Sequence, residues 1–309
     1  MLDVRRLRLL REVEHRGSIA AAAQALAFTP SAVSQQLAKL EREVGVALLE
    51  RGPRSIELTP AGRRLVSHAD EILARVAEAE SELRALAHES GSATLRLGSF
   101  PTAAATLALP ALDLLRRTHP DVEVTVTEAD PLVALGRMKA GELDAALLFE
   151  YDFVPLPHEG FELEPLLEEP FFVVLPRGHS AARRRSVALA DLADESWLQS
   201  TRRSSCHPFT LRACRAAGFK PKIAFDVDDY QAMQTLVAGG AGVAMAPAMA
   251  VATPHPGVEV RPIAFRPPRR RVYSAHVAAA STPLVHELLA ALRTAAGIQN
   301  TRAPARVYG

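Results

Sequence analysis

Residues 28–41 read Phe-Thr-Pro-Ser-Ala-Val-Ser-Gln-Gln-Leu-Ala-Lys-Leu-Glu, FTPSAVSQQLAKLE. Thr29 is a good helix N-cap, and Pro30 fits the first helical position, where a missing N–H costs nothing. At about 100° per residue, Val33, Leu37, Leu40 and Val44 fall within about 60° of one another and must face a core. The opposite side carries Ser31, Gln35, Ala38, Lys39 and Arg42, with Ser34 on its flank. A solvated face is normally dominated by Glu, Lys and Arg, whereas here charge arrives only toward the far end. Small and amide side chains let a helix come close to base edges, where Gln can pair with adenine and Ser can donate or accept.

The flanking segments choose between a bland surface and a reading helix. Val4, Leu7, Leu9, Leu10 and Val13 form a roughly helical stripe over 3–15. Gly17 can end that helix and Ser18 can cap the next, from 19 to about 27. Only a residue or two then precedes Thr29. Two helices joined by so tight a turn form the layout that puts the second in a DNA groove. Residues 48–59 suggest a β-hairpin, with Gly52-Pro53 at the turn and Ile56 and Leu58 alternating with polar residues. Its Arg51 and Arg54 would supply sequence-independent phosphate contacts, as would Lys39 and Arg42 on the helix, with Thr29 at its start a further DNA-binding residue.

The string GSIAAAAQALAFTPSAVSQQLAKLEREVGVALLER, followed by IELTPAG, resembles the winged helix-turn-helix of LysR-type transcriptional regulators. The family often has Ser-Gln-Pro-Ala-Leu-Ser where this chain has Thr29-Pro-Ser-Ala-Val-Ser34, and Arg where it has Gln35 and Ala38. Groove contact therefore carries over to Ser31, Ser34 and Gln35, but base preference does not.

The next segment is built for pairing. Leu65, Ala69, Ile72, Val76, Ala79, Leu83 and Leu86 repeat at 4,3,4,3,4,3, a coiled-coil seam. Thr59-Pro60 repeats the cap-and-proline start, and a helix over 60–88 would be about 43 Å long. Such a helix can hold two DNA-binding heads a set distance apart over a dyad-symmetric site. Residues 1–65 carry eleven Lys and Arg against seven Asp and Glu, and 66–89 two against six. That acidic excess suits a linker that does not itself lie on DNA. In the resembling family this segment is the dimerising linker helix.

From residue 94 the pattern alternates strand and helix: strands at 95–98, 122–127 and 145–149, helices at 103–117 and 131–140. After the Pro-rich 154–158 come strands at 171–175, around 197 and at 223–227, with helices at 207–217 and 230–239. A strand over 272–278 and a helix over 283–296 close the chain. This alternation predicts two α/β lobes with ligand beyond the strand ends. LRLGSFPTAAATLALPAL, GELDAALLF, FFVVLPRGHSAA and FDVDDYQAMQTLVAGGAGVAMAP resemble the LysR-type co-inducer domain, which implies a periplasmic-binding-protein-like fold.

The expected organisation is a winged helix-turn-helix over 1–59, a linker helix and hinge over 60–91, and an effector domain over 92–309. Its first lobe would be about 92–164 and 266–298, its second about 165–265. Strand ends and helix starts nominate Ser99, Phe100, Thr102, Thr127, Phe149, Ser200, Thr201 and Asp228 as effector contacts. Each hydroxyl has simple capping as its plainer role. The expected effector is a small carboxylate-bearing metabolite, favoured by free N–H groups at helix starts and by Arg202 and Arg203.

Other functions fit less well. No Gly-x-Ser-x-Gly elbow, P-loop or Gly-x-Gly-x-x-Gly is present, and the ten histidines lack metal-ligand spacing, so no enzyme, cofactor or metal site is expected. A free solute-binding protein would leave residues 1–88 unexplained. A redox-sensing LysR-type regulator using Cys206 and Cys214 is the alternative. On one helix these would lie about 12 Å apart, beyond the roughly 7 Å limit for a disulfide. The start Met-Leu-Asp-Val-Arg-Arg has no apolar leader core and no apolar run reaches membrane length, so a cytoplasmic protein is expected. The resemblance further implies homodimers paired into tetramers, promoter DNA and RNA polymerase as partners.

Overall fold

The computed structural model describes all residues except 1, 26–27, 52–55, 89–92, 153–154, 158, 203, 279–280 and 303–309. The chain divides into two compact units, the first ending at Leu86 and the second holding nearly all that follows.

The first unit begins with α1 (Val4–Arg16), capped by the Asp3 carboxylate, which accepts from the Arg5 N–H, and closed by Gly17 at φ 68°. Then come α2 (Ile19–Ala25) and α3 (Pro30–Val44), the latter capped by Thr29 accepting from the Ala32 N–H. The antiparallel hairpin of β1 (Leu49–Arg51) and β2 (Ile56–Leu58) pairs Leu49 with Leu58. Leu9, Leu10, Val13, Val33, Leu37, Leu40, Leu48 and Val66 share one small core. Burying an aliphatic side chain of this kind stabilises by about 1.5–3 kcal/mol, so three of them fix the rotation of α3 about its axis.

The hairpin is placed by polar contacts. Glu41 accepts from the backbone N–H groups of both Leu48 and Leu49, and Thr59 donates to the Ala47 carbonyl while accepting from the Gly62 N–H. A side chain at Gly62 would meet the Leu48 carbonyl oxygen at 2.2 Å. Helix α4 (Pro60–His88) therefore starts where only glycine fits.

The second unit contains a seven-stranded sheet: β3 (Ala93–Ser99), β4 (Val122–Glu128), β5 (Ala145–Tyr151), β6 (Phe161–Pro176), β9 (Ala244–Pro247), β10 (Val258–Pro262) and β11 (Arg269–Val277). The order is β10-β6-β11-β5-β3-β4, with β9 also on β6. β3 runs parallel to β4 and β5, and β11 antiparallel to β5 and β6. β7 (Ser196–Gln199) and β8 (Lys222–Asp226) form a parallel pair in the second lobe. A short helix α5 (Pro101–Ala103) passes through a π turn (Ala104–Ala108) into α6 (Leu109–Thr118). The remaining helices are α7 (Pro131–Lys139), α8 (His207–Ala216), α9 (Tyr230–Ala238) and α10 (Pro283–Arg302). No helix among the described residues is long and apolar enough to cross a membrane.

Residues 171–175, expected as a strand opening the second lobe, are the end of a 16-residue strand. The first part of β6 pairs with β11 and the last part with β9 and β10, so one strand serves both lobes. Pro165 and Pro170 hide it in the sequence, because proline normally demotes a strand. Here a register shift between Val272 and Tyr273 leaves Leu166 without an opposite partner. β9 and β10 were likewise not expected.

Candidate functional site

In the first unit Val33, Leu37 and Leu40 are buried, while Ser31, Gln35, Ala38, Lys39 and Arg42 are exposed and Ser34 is half-buried. The Ser31 hydroxyl lies 3.1 Å from that of Thr29, and the Arg42 Nε donates to the Ala38 carbonyl at 3.3 Å. Gln36 faces the other way: its side-chain oxygen accepts from the Arg6 Nε at 3.0 Å, and Arg6 also pairs with Glu43. This buried arginine ties α1 to α3 and was not singled out in the sequence. Its signal was a basic residue at a position where the α1 stripe demands burial. Arg54 lies outside the described residues, as does the side chain of Arg51.

The second unit holds a cavity of about 580 Å³ at the ends of β3, β5 and β7 and the starts of α5, α7 and α9. Of the expected contacts, Phe100, Thr102, Phe149, Ser200 and Asp228 line it. Ser99, Thr127 and Thr201 do not. Ser99 is fully buried and donates to the Phe100 carbonyl. Thr127 precedes the lining Glu128, and alternate strand residues point to opposite faces. Thr201 turns toward Asp228, donating from its N–H at 2.8 Å and its hydroxyl at 2.6 Å. Arg202 is exposed and off the cavity, and Arg203 lies outside the described residues.

Arg270, which sequence reasoning missed, forms part of the wall. It is 1% exposed, donates from Nε to Glu169 at 2.7 Å and from Nη2 to the Thr102 hydroxyl at 3.0 Å. Its guanidinium lies 4.8 Å from the Phe100 ring centre and 5.2 Å from that of Phe149. Burial works against its charge, but Glu169 more than restores it and holds the guanidinium above its ordinary pKa. The strand period was the available signal. In Arg269-Arg270-Arg271 the middle residue must face opposite to its neighbours, which pair outward with Glu168 and Glu150.

Cys206 and Tyr230 complete the wall, with Tyr151 behind Cys206. The Tyr151 hydroxyl lies 2.8 Å from the Cys206 sulfur, and burial pushes all three groups above their ordinary pKa values.

Residues 4–63 match the bacterial regulatory helix-turn-helix family of LysR type, and residues 88–297 match the LysR substrate-binding domain. The chain belongs to the LysR family of transcriptional regulators. It is 30% identical to the uncharacterized HTH-type transcriptional regulator YcgK of Bacillus subtilis, over 88% of each chain. It is 29% identical to the DNA-binding transcriptional dual regulator OxyR of Escherichia coli, again over 88% of each. Full-length CbnR, solved in complex with its target DNA, shares 25% identity and superposes with a TM-score of 0.56, covering 96% of this chain and all of that one. The architecture is a LysR-type winged helix-turn-helix followed by a periplasmic-binding-protein-like α/β domain.

The linker helix looks different in this LysR-type chain than the sequence suggested. On α4, Val66, Ala69 and Leu73 are buried within the chain itself, so Ala69 is not available to a partner helix. Leu65 packs partly on the first-unit core. Ile72 and Val76 are half-exposed and Ala79 exposed, while the side chains of Leu83 and Leu86 lie outside the described residues. The first turns of α4 thus carry a broad stripe, which a heptad count alone cannot distinguish from a seam. The cysteines are both free. Cys206 stands at the residue before α8, making no side-chain cap, and Cys214 lies within that helix, buried, its thiol pushed up to about 12.

Proposed function

We propose that this chain is a sequence-specific DNA-binding regulator whose affinity or footprint is set by a small molecule in the second-unit cavity. The observation that carries the proposal is the outward face of α3. Buried Val33, Leu37 and Leu40 hold Ser31, Ser34 and Gln35 outward, with Lys39 and Arg42 further along. Uncharged donors and acceptors then meet base edges and cations meet phosphates. The DNA complex of CbnR supports the same use of the fold.

The chain acts as a homodimer, paired into tetramers, on promoter DNA with dyad symmetry in the cytoplasm, with RNA polymerase as its downstream partner and no catalysis of its own. Ile72, Val76, Ala79, Leu83 and Leu86 form the dimer seam. Ligand shifts the equilibrium between two arrangements by its differential affinity for them. Footprinting on the chain's own promoter region, with and without a cavity ligand, tests the scheme. An unchanged footprint and affinity with the cavity filled would sink it.

A redox switch through Cys206 and Cys214 draws support from the OxyR relative. Against it stand two thiols whose burial disfavours the reactive thiolate, eight residues apart along one helix. Control by a bound ligand is the better account.

A further inference from the structure

We infer that the cavity takes a small organic cation, an ammonium group on an apolar body, rather than a carboxylate. This rests on the cavity being the control site and goes on to name its ligand class.

Most of the features that would hold an anion are already occupied. The lining guanidinium, Arg270, is paired with Glu169. The N-terminus of α9 is capped by the carboxylate of Asp229, which accepts from the Ala232 N–H. At the start of α7 the Asp130 carboxylate accepts from the Leu132 N–H, and its second oxygen takes the N–H and hydroxyl of Ser205. The starts of α7 and α9 therefore face the cavity with their counter-charge in place, while the three-residue α5 has no side-chain cap.

What remains is negative. Glu128, Asp130, Asp228 and Asp229 all line the space, the last three also accepting hydrogen bonds within the chain, against one guanidinium that is itself neutralised from behind. An ammonium is drawn to this surround, and a carboxylate is repelled by it.

A second observation is independent of charge. Ser200 is 8% exposed and lines the cavity, yet its hydroxyl has no hydrogen-bond partner among the described residues. The oxygen itself is not fully buried and opens toward the cavity, where a ligand can meet it. A hydroxyl can accept from an ammonium. The edge-to-face rings of Phe100 and Phe149 and the side chain of Met249 supply an apolar wall for the ligand's body. A volume of about 580 Å³ suits a small organic molecule.

The test is calorimetry on the full-length protein with shape-matched probes: phenethylamine, 2-phenylethanol and 3-phenylpropionate, then 1,4-diaminobutane against succinate. The expected result is that an amine binds at least about tenfold more tightly than its carboxylate and neutral counterparts. Glu128→Gln, Asp229→Asn and Ser200→Ala should each weaken that amine by roughly three- to tenfold. Asparagine still caps α9, so the unfolding temperature of that variant should not move. Tighter binding by a carboxylate, indifference to charge, no amine binding at millimolar concentration, or variants that bind like wild type would each overturn the assignment. Footprints taken in parallel separate the two claims. A bound amine that leaves the footprint unchanged supports the ligand class while refuting control of DNA. A carboxylate that binds and alters the footprint does the reverse.

Discussion

Replacing Arg270 with methionine should expose how the cavity wall is held. Arg270 and Glu169 are 1% and 4% exposed, and Glu169 uses its second oxygen to accept from the Met249 N–H at 2.7 Å. Methionine keeps an apolar stem between Phe100 and Phe149, so little packing is lost. It removes the guanidinium and leaves Glu169 buried with one backbone donor. Breaking a buried pair from one side costs about 3–5 kcal/mol, mostly the penalty of the stranded charge. Adding Glu169→Gln removes that charge and retains an acceptor for the Met249 N–H. The double variant should therefore recover to within about 1 kcal/mol of wild type. Urea unfolding followed by tryptophan fluorescence measures this, because the single tryptophan, Trp197, is buried in the second unit and reports that unit alone. A single variant within about 1 kcal/mol of wild type, or a double no better than the single, would refute the view that Glu169 depends on Arg270.

Gln35→Ala should cost roughly 1–3 kcal/mol at the cognate site and relax preference at one base pair. Equal weakening on random DNA would show that the face is merely solvated. Arg42→Ala should instead weaken all sequences alike and lower the salt slope by about one, read from titrations at several salt concentrations. Gly62→Ala forces a methyl against the Leu48 carbonyl and should destabilise the first unit by about 1–3 kcal/mol in thermal unfolding. Because burial raises both thiol pKa values, the reactive thiolate stays scarce at neutral pH and grows only as pH rises toward those values. Peroxide at pH 7 should leave Cys206 and Cys214 reduced by mass spectrometry. A 206–214 bridge that alters DNA binding would reinstate a redox switch.

The first unit was legible because its signals are local. Thr29 caps α3, Gly17 and Gly45 take left-handed φ, and a helical stripe names Val33, Leu37 and Leu40 as core. The cavity was half legible. Phe100, Phe149 and Asp228 sit where strand ends and helix starts predict. Arg270 and Glu169 were hidden because their meeting depends on register between β6 and β11, a relation among residues 101 apart. The carboxylate-bearing effector was expected from helix starts treated as vacant. Asp130 and Asp229 cap the starts of α7 and α9, not the turns at Ser99–Thr102 and Ser200–Thr201 from which that effector was expected, and they join the wall only once the strands and helices are assembled.

The double membership of β6 sets a limit on motion. In a clamshell hinged at loops, two halves swing through large angles because only soft backbone torsions resist. Here a strand hydrogen-bonded on both sides of the crossing must twist along its length for the halves to rotate, and its ladders resist. Such an element behaves as a torsion bar: its response to a bound molecule is small in angle and stiff. Whatever the ligand does to the cavity reaches the rest of the protein as a slight turn, to be amplified by leverage elsewhere rather than by wide closure.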